Sequence, residues 1–135
     1  MSNVHQFFKE HRRQQKNVKY AASSLFLDEA GKPIEWELRV LPTKKVEEIK
    51  WNAMNNKTGR LDAQKMAIDM TVASVVFPPL RDAELQDSYG VKNARDLLYE
   101  LLTSAELDNL ESKVMEICGY LDSGIDRLAG EAKNS

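Results

Sequence analysis

The sequence has one cysteine, six glycines, four prolines and no long apolar run. A single cysteine, Cys118, excludes an internal disulfide and any metal site built from several cysteines. No stretch approaches the roughly 20 apolar residues that cross a bilayer, and the first residues lack the apolar core of a signal peptide. We therefore expect a cytoplasmic protein that does not enter a membrane.

Neither sign of charge is in clear excess. The 135 residues carry 19 Lys and Arg against 21 Asp and Glu, a net charge of -2. With this balance the chain has no overall positive charge that would attract nucleic acid or an anionic membrane. The basic stretch 9–16, KEHRRQQK, lies next to Phe7 and Phe8 and leaves nucleic-acid binding open. Because the stretch is short and the whole chain is slightly acidic, we favour a solvated arm.

The common catalytic and metal-binding motifs are also absent. The chain has no glycine-rich phosphate loop and no G-x-S-x-G nucleophile elbow. His5 and His11 are six residues apart, which does not place them on one helical face. The carboxylates are scattered over predicted helix surfaces, where solvated charge is the usual role. The sequence therefore predicts neither an enzyme nor a metal site.

Residues 18–41 predict a β-hairpin. Two apolar arms flank the polar connection 28–32, in which Gly31 can take a positive φ. In the second arm apolar residues alternate with charged ones, the pattern of a half-buried strand. These apolar residues are Ile34, Trp36, Leu38 and Val40. A lone hairpin is marginal in water, so we expect it to pack on helices or pair with another strand, from this chain or a second copy.

Residues 43–129 predict a mainly helical part. Thr43 can cap a first helix that runs to about Lys57, and Asp62 can cap a central helix that runs to about Val76. Two apolar stripes on the central helix leave only a narrow sector for water.

The pair Pro78 and Pro79 predicts an abrupt stop of this central helix. Proline lacks an amide donor and pushes the residue before it away from helical geometry. After the prolines, Asp82 can cap a short helical turn that contains Leu85, and Gly90 suits a left-handed C-terminal cap.

Two further helices follow the short turn. Asn93 is a start signal for one of them, and Thr103 with Glu106 forms a capping box that opens the other. The apolar residues of the last helix recur at spacings of three and four, so they can pack inside the domain or against a partner helix. They are Leu107, Leu110, Val114, Ile117 and Leu121.

These patterns predict an α+β fold in a single domain, 1–135. An N-terminal β-hairpin or small antiparallel sheet would pack on a mainly α-helical C-terminal part. Residues 1–17 are expected to form a flexible or helical arm, and 130–135 a flexible tail, because both have little apolar surface.

Two blocks of the chain together resemble a known family. They are "SSLFLDEAGKPIEWELRVLPTKKVEEIKW" and "ASVVFPPLRDAELQDSYGVKNARDLLYELLTSAELDNLESKVMEICGY". The blocks are similar to the XkdN-like tail assembly chaperones of long-tailed bacteriophages and prophages, over about residues 20–121 and in the same order. The most distinctive matching positions include Gly31, Pro33, Trp36, Pro78, Asp82, Leu85 and Gly90. Pro79 and the alanine before Glu106 depart from the family pattern.

The resemblance implies a chaperone, in the cytoplasm of the bacterial host, that coats the long helical tape measure protein. The chaperone would keep that client soluble until the tail tube polymerises around it. The resemblance implies no cofactor. It also implies contacts with the tail tube protein and with a longer, frameshifted form of the chaperone, and it is compatible with a homo-oligomer. Such a client is recognised by apolar anchors rather than by catalytic groups.

We expect protein binding through two aromatic residues and the last apolar stripe. The residues are Trp51, Tyr89, Leu107, Leu110, Val114 and Leu121. Trp51 lies off the apolar stripe of its helix, which favours an interface role. Tyr89 is the weakest of these binding candidates. For it we favour a structural role, in which it helps Leu80 and Leu85 hold the proline junction against the core.

Two alternative functions follow from the same residues. The first is an oligomeric structural tail component that stays in the virion, with the hairpin edge pairing between copies. The second is a small nucleic-acid-binding regulator, which rests only on the basic stretch 9–16.

Overall fold

The computed structural model describes residues 3–120, in which three short strands and five α-helices confirm the α+β prediction. The strands are β1 (Val18–Tyr20), β2 (Trp36–Leu38) and β3 (Val75–Phe77). The helices are α1 (Thr43–Asn52), α2 (Ala63–Ser74), α3 (Ala83–Ser88), α4 (Ala94–Leu101) and α5 (Ser104–Ile117). Two 3₁₀ turns, Val4–Phe7 and Lys9–His11, precede β1. None of the helices within residues 3–120 has the length and apolar character needed to cross a membrane.

The predicted hairpin is present, although it is paired over a shorter length than its apolar arms. β1 and β2 are antiparallel and hydrogen-bonded over three residues each, and an isolated bridge joins Leu27 to Pro33 near the turn. Gly31 adopts the expected positive φ of 80°. In β2 the alternation holds, because Trp36 and Leu38 are buried while the intervening Glu37 is partly exposed.

The third strand corrects the predicted end of the central helix. α2 ends at Ser74, and Val75–Phe77 pairs antiparallel with β2. Two β-branched residues and one aromatic residue favour a strand, and Phe77 is held in extended geometry because it precedes Pro78. The two prolines therefore end β3, and the three residues of β3 separate the end of the helix from Pro78.

α1 also differs from its prediction at both ends. Pro42 occupies the N-cap, Thr43 is the first helical residue, and the helix ends at Asn52, before the expected end near Lys57. The Asn55 carboxamide oxygen accepts hydrogen bonds from the amides of Lys57 and Thr58, at 2.8 and 3.1 Å. Asn residues that bond nearby amides compete with the helix in this way, so a loop replaces its last turn.

The other predicted caps are present. The side chains of Asp62, Asp82 and Asn93 each accept a hydrogen bond from the amide three residues later. Thr103 and Glu106 form the reciprocal capping box at the start of α5. These residues satisfy amides that a helix start would otherwise leave without partners.

The core is arranged around α2, which contacts α1, α4, α5 and β3. The fully buried side chains of the core come from β2, α2, α4 and α5. They are Leu38, Met70, Thr71, Ser74, Leu97, Leu98, Leu110 and Val114. The buried hydroxyls of Thr71 and Ser74 donate to the carbonyl oxygens of Ala67 and Arg39, at 2.8 and 2.7 Å. The helix predicted to be central therefore has that position.

Candidate protein-binding surface

Trp51 is exposed on the outer side of α1. The helix packs on the core through the buried residues Val46, Ile49 and Ala53, and Trp51 falls outside that stripe. As a result 76% of its surface is accessible. An exposed tryptophan is the side-chain type most enriched at the centres of protein interfaces, so this part of α1 is the starting point for a binding surface.

The turn that follows α5 lies against the same face of α1. Thr43 and Glu47 line a cavity of about 150 Å³ together with Cys118, Gly119 and Tyr120. Helical spacing places Trp51 on this face, because it follows Glu47 by four residues. We call Thr43, Glu47, Lys50, Trp51 and Tyr120 the Trp51 surface.

Lys50 connects the two parts of the Trp51 surface. Its Nζ lies 5.5 Å from the centre of the Tyr120 ring and 3.3 Å from Glu47 Oε1. The Tyr120 side chain, and after it Glu47, raise the pKa of Lys50 because both favour the charged ammonium. The surface thus combines an exposed indole, a phenol and a stable positive charge, which suits a partner with apolar and acidic side chains.

The predicted binding residues of α5 are buried or partly buried in the core. Leu110 and Val114 are fully buried against the core, and Leu107 is half-buried against it. Leu110 and Val114 therefore pack inside the domain, which is one of the two roles that their spacing allowed. In this conformation their side chains are not accessible to a partner. Leu121 lies outside the described residues.

Tyr89 lies in a separate apolar groove. The groove has a volume of about 150 Å³ and is formed by the hairpin, the proline junction, α3 and α4. Its lining residues are Phe26, Ile34, Trp36, Phe77, Pro78, Leu85, Tyr89 and Leu101. Tyr89 is half-buried against the core, so it supports the junction and also contributes one wall of this apolar groove.

Two of the remaining motif residues lie at the ends of α3, whose Leu85 lines the apolar groove. The Asp82 carboxylate caps α3 by accepting from the Leu85 amide at 2.8 Å. Gly90 ends that helix with a positive φ of 69°, as predicted. Pro79 is exposed and lies outside the groove, in a cleft of about 440 Å³ beside α1 and α2.

That cleft has a mainly positive rim. Arg39, Lys45 and Arg81 line it, and its acidic residue Asp69 is already paired with Lys65 at 3.0 Å. The sequence patterns did not reveal the cleft, because its residues come from three stretches of the chain, at 39, 45–49 and 69–81. Its chemistry suits an acidic group on a partner.

The described residues contain no cluster of three or more His, Cys, Asp or Glu that could hold a metal ion. Cys118 is partly buried at the end of α5 and packs against the core.

Comparison with known proteins identifies the family to which the chain is similar. Residues 4–133 match the family described as phage XkdN-like tail assembly chaperone protein. The phage-like element PBSX protein XkdN of Bacillus subtilis strain 168 is 26% identical over 125 residues, which cover 87% of this chain and 84% of that protein. Protein YqbN of the same strain is 25% identical over 125 residues, covering 87% and 83%.

A solved structure has the same fold. The crystal structure of protein YqbN aligns with a TM-score of 0.77 and 21% sequence identity, covering 88% of this chain and 98% of that one. At this identity the structural similarity concerns the fold alone. Because the family match extends over nearly the whole chain, the protein belongs to the XkdN-like family of phage tail assembly chaperones.

Proposed function

We propose that this chain binds the tape measure protein of a phage tail and keeps it soluble until the tail tube forms around it. The observation that carries the proposal is the match of residues 4–133 to the tail assembly chaperone family. Binding would take place in the cytoplasm of the bacterial host, before the tail is complete.

The Trp51 surface is the proposed contact with this client. A long helical client presents apolar stripes, and a helix that lies on a partner is held by a few apolar anchors. Trp51 supplies a large exposed anchor, and Lys50 beside Tyr120 supplies a charge for acidic residues that flank such a stripe. Leu107 and Tyr89 are the proposed additional contacts, because both are only partly buried.

The client interaction is expected to be modest at each site and repeated along the client. A chaperone that must leave as tube subunits arrive needs a dissociation rate compatible with assembly, and many weak sites can still give a high overall avidity. The tail tube protein and a frameshifted longer form of this chain are the other proposed partners.

Co-expression with the tape measure protein of the same phage tests the proposal. We expect the client to be insoluble alone and to form a soluble complex with several copies of this chain, as measured by size-exclusion chromatography with light scattering. Trp51→Ser should reduce the soluble client. Tyr99→Ser, which removes an exposed aromatic residue of α4, is the matched control and should leave the yield unchanged.

Other outcomes would contradict the proposal. A client that stays insoluble while this chain elutes alone would remove its support. Stoichiometric recovery of the chain from purified virions would favour a structural tail component. A complex of one chain per client with very slow dissociation would contradict repeated weak binding.

A further inference from the structure

The cleft lined by Arg39, Lys45 and Arg81 also has an apolar floor, and we call it the basic cleft. Its volume of about 440 Å³ lies within the roughly 300–1,000 Å³ of typical ligand sites. Most of its other lining residues are apolar, and they include Val76 of β3 and Pro79. Val76 is 42% exposed, so the floor can be reached from outside. The basic cleft therefore offers apolar surface that a partner can remove from water.

The guanidinium group of Arg39 is held in place at the rim of the basic cleft. Its Nε donates to the Ala73 carbonyl oxygen at 3.0 Å, which fixes one side of the planar group. Within residues 3–120, neither Arg39 nor Arg81 takes part in an ion pair. A guanidinium held in this way can bind a carboxylate through its terminal nitrogens with little loss of conformational freedom.

The acidic lining residue does not cancel the positive charge of the basic cleft. Asp69 accepts a hydrogen bond of 3.0 Å from Lys65, which lies one helical turn away on α2 and is not part of the lining. Lys45 Nζ lies 3.7 Å from Glu48 Oε1, and an exposed pair of this kind contributes little. The charges of the rim therefore remain able to attract an anionic group.

The combination of a basic rim and an apolar floor selects among anionic partners. Single-stranded nucleic acid is held by aromatic side chains on which its bases stack. In the part of the chain that the structure describes, no aromatic residue lines the basic cleft. A small inorganic anion would use the rim and leave the apolar floor in water. A protein segment with carboxylates beside apolar side chains complements both parts of the cleft.

We propose that the basic cleft binds a short segment of another protein in which carboxylates stand next to apolar side chains. The carboxylates face Arg39, Lys45 and Arg81, and the apolar side chains cover Val76 and Pro79. The basic cleft has no residue in common with the Trp51 surface, so it is a second contact region. The inference therefore does not depend on the proposed binding of the tape measure protein.

The first test titrates the full chain into a short fluorescein-labelled peptide of leucine and glutamate and measures fluorescence anisotropy. We expect saturable binding that weakens as sodium chloride is added, because salt screens charges at the surface. A peptide with lysine in place of every glutamate is the control for the charge and should not bind. A peptide with serine in place of every leucine is the control for the apolar floor and should bind more weakly.

The second test changes the charge of the basic cleft in both directions. Arg81→Glu should weaken binding of the leucine–glutamate peptide about tenfold or more. Arg95→Glu changes the net charge equally at an exposed position of α4 outside the cleft, and it should change the affinity less than about twofold. Asp69→Asn should strengthen binding about threefold, because it removes the acidic residue of the cleft. A gain of affinity cannot result from misfolding.

Amide NMR spectra of the isotope-labelled chain locate the bound peptide, and the signals of Arg39, Val76 and Arg81 should shift on titration. Three results would overturn the proposal. The first is the absence of saturable binding, and the second is an equal loss of affinity in Arg81→Glu and Arg95→Glu, which would show a general effect of net charge. The third is tighter binding of inorganic phosphate or a single-stranded oligonucleotide at these signals, which would assign the cleft to a phosphate ligand.

Discussion

The hydroxyl of Ser74, the last residue of α2, donates a hydrogen bond of 2.7 Å to the carbonyl oxygen of Arg39, next to β2. In return, the Arg39 amide donates to the Ser74 carbonyl oxygen at 2.8 Å, and Arg39 Nε donates to the Ala73 carbonyl oxygen at 3.0 Å. These three bonds attach the end of the central helix to the sheet, at the residue where the backbone changes from helix to strand.

Ser74→Ala should lower the free energy of unfolding by about 1–3 kcal/mol, because it removes the buried donor to the Arg39 carbonyl oxygen. Urea denaturation followed by circular dichroism measures this change. Ser88→Ala removes an exposed hydroxyl that donates to the Leu85 carbonyl oxygen, and it should cost less than about 0.5 kcal/mol. Equal effects of the two substitutions would contradict the role given to Ser74.

Leu110→Ala should destabilise the fold by about 2–5 kcal/mol, because it leaves a cavity between α5 and α2. The measurement is again the free energy of unfolding. Asn109→Ala, at the adjacent exposed position, is the control. If Leu110→Ala reduced client binding while the unfolding free energy stayed constant, Leu110 would belong to a binding surface and not to the core.

The two tryptophans should respond to substitution in opposite ways. Trp36 is 3% exposed, so Trp36→Ala should lower the unfolding free energy by about 3–5 kcal/mol. Trp51→Ala should change it by less than about 0.5 kcal/mol and weaken client binding by about 2 kcal/mol or more. Thermal unfolding and a binding titration on both variants separate these effects. A strong loss of stability in Trp51→Ala would contradict its assignment as a contact residue.

Glu106 should make stability depend on pH. Its carboxylate accepts from the amides of Thr103 and Ser24, at 3.0 and 3.3 Å, and the bond to Thr103 is the main reason why the pKa of Glu106 is below its ordinary value. A carboxyl whose pKa is lower in the folded state stabilises the protein at pH values above its unfolded pKa. This contribution is lost as pH falls through the folded pKa.

The matching experiment compares the wild type with Glu106→Gln. The wild type should be more stable at pH 7, and its advantage should shrink as pH is lowered toward 3. Glu100→Gln changes an exposed carboxylate of α4 and is the control. A wild-type advantage that grew at acid pH would show that the carboxylate is not the form that the fold stabilises.

Local features of the sequence predicted local features of the fold. The caps at Asp62, Asp82 and Thr103 and the turn at Gly31 depend on residues within four positions of each other, so their patterns can be read directly. β3 was missed because its residues also fit the end of a helix, and the choice depends on β2, which lies nearly forty residues away along the chain.

The candidate surfaces were only partly predictable for the same reason. The exposure of Trp51 follows from its place outside a narrow apolar stripe. The approach of Lys50 to Tyr120 joins two segments far apart in the chain, and no local pattern indicates it. The spacing of Leu110 and Val114 is the same for a core and an interface, and only the position of α2 decides between them.

The position of β3 at the edge of the sheet also bears on aggregation. An edge strand with exposed apolar side chains can add strands from other molecules, and Val76 and Phe77 are both exposed. β3 is only three residues long, and Pro78, which has no amide hydrogen, follows it directly. The edge is therefore too short to template a cross-β stack, even though it displays the side chains from which such stacks are built.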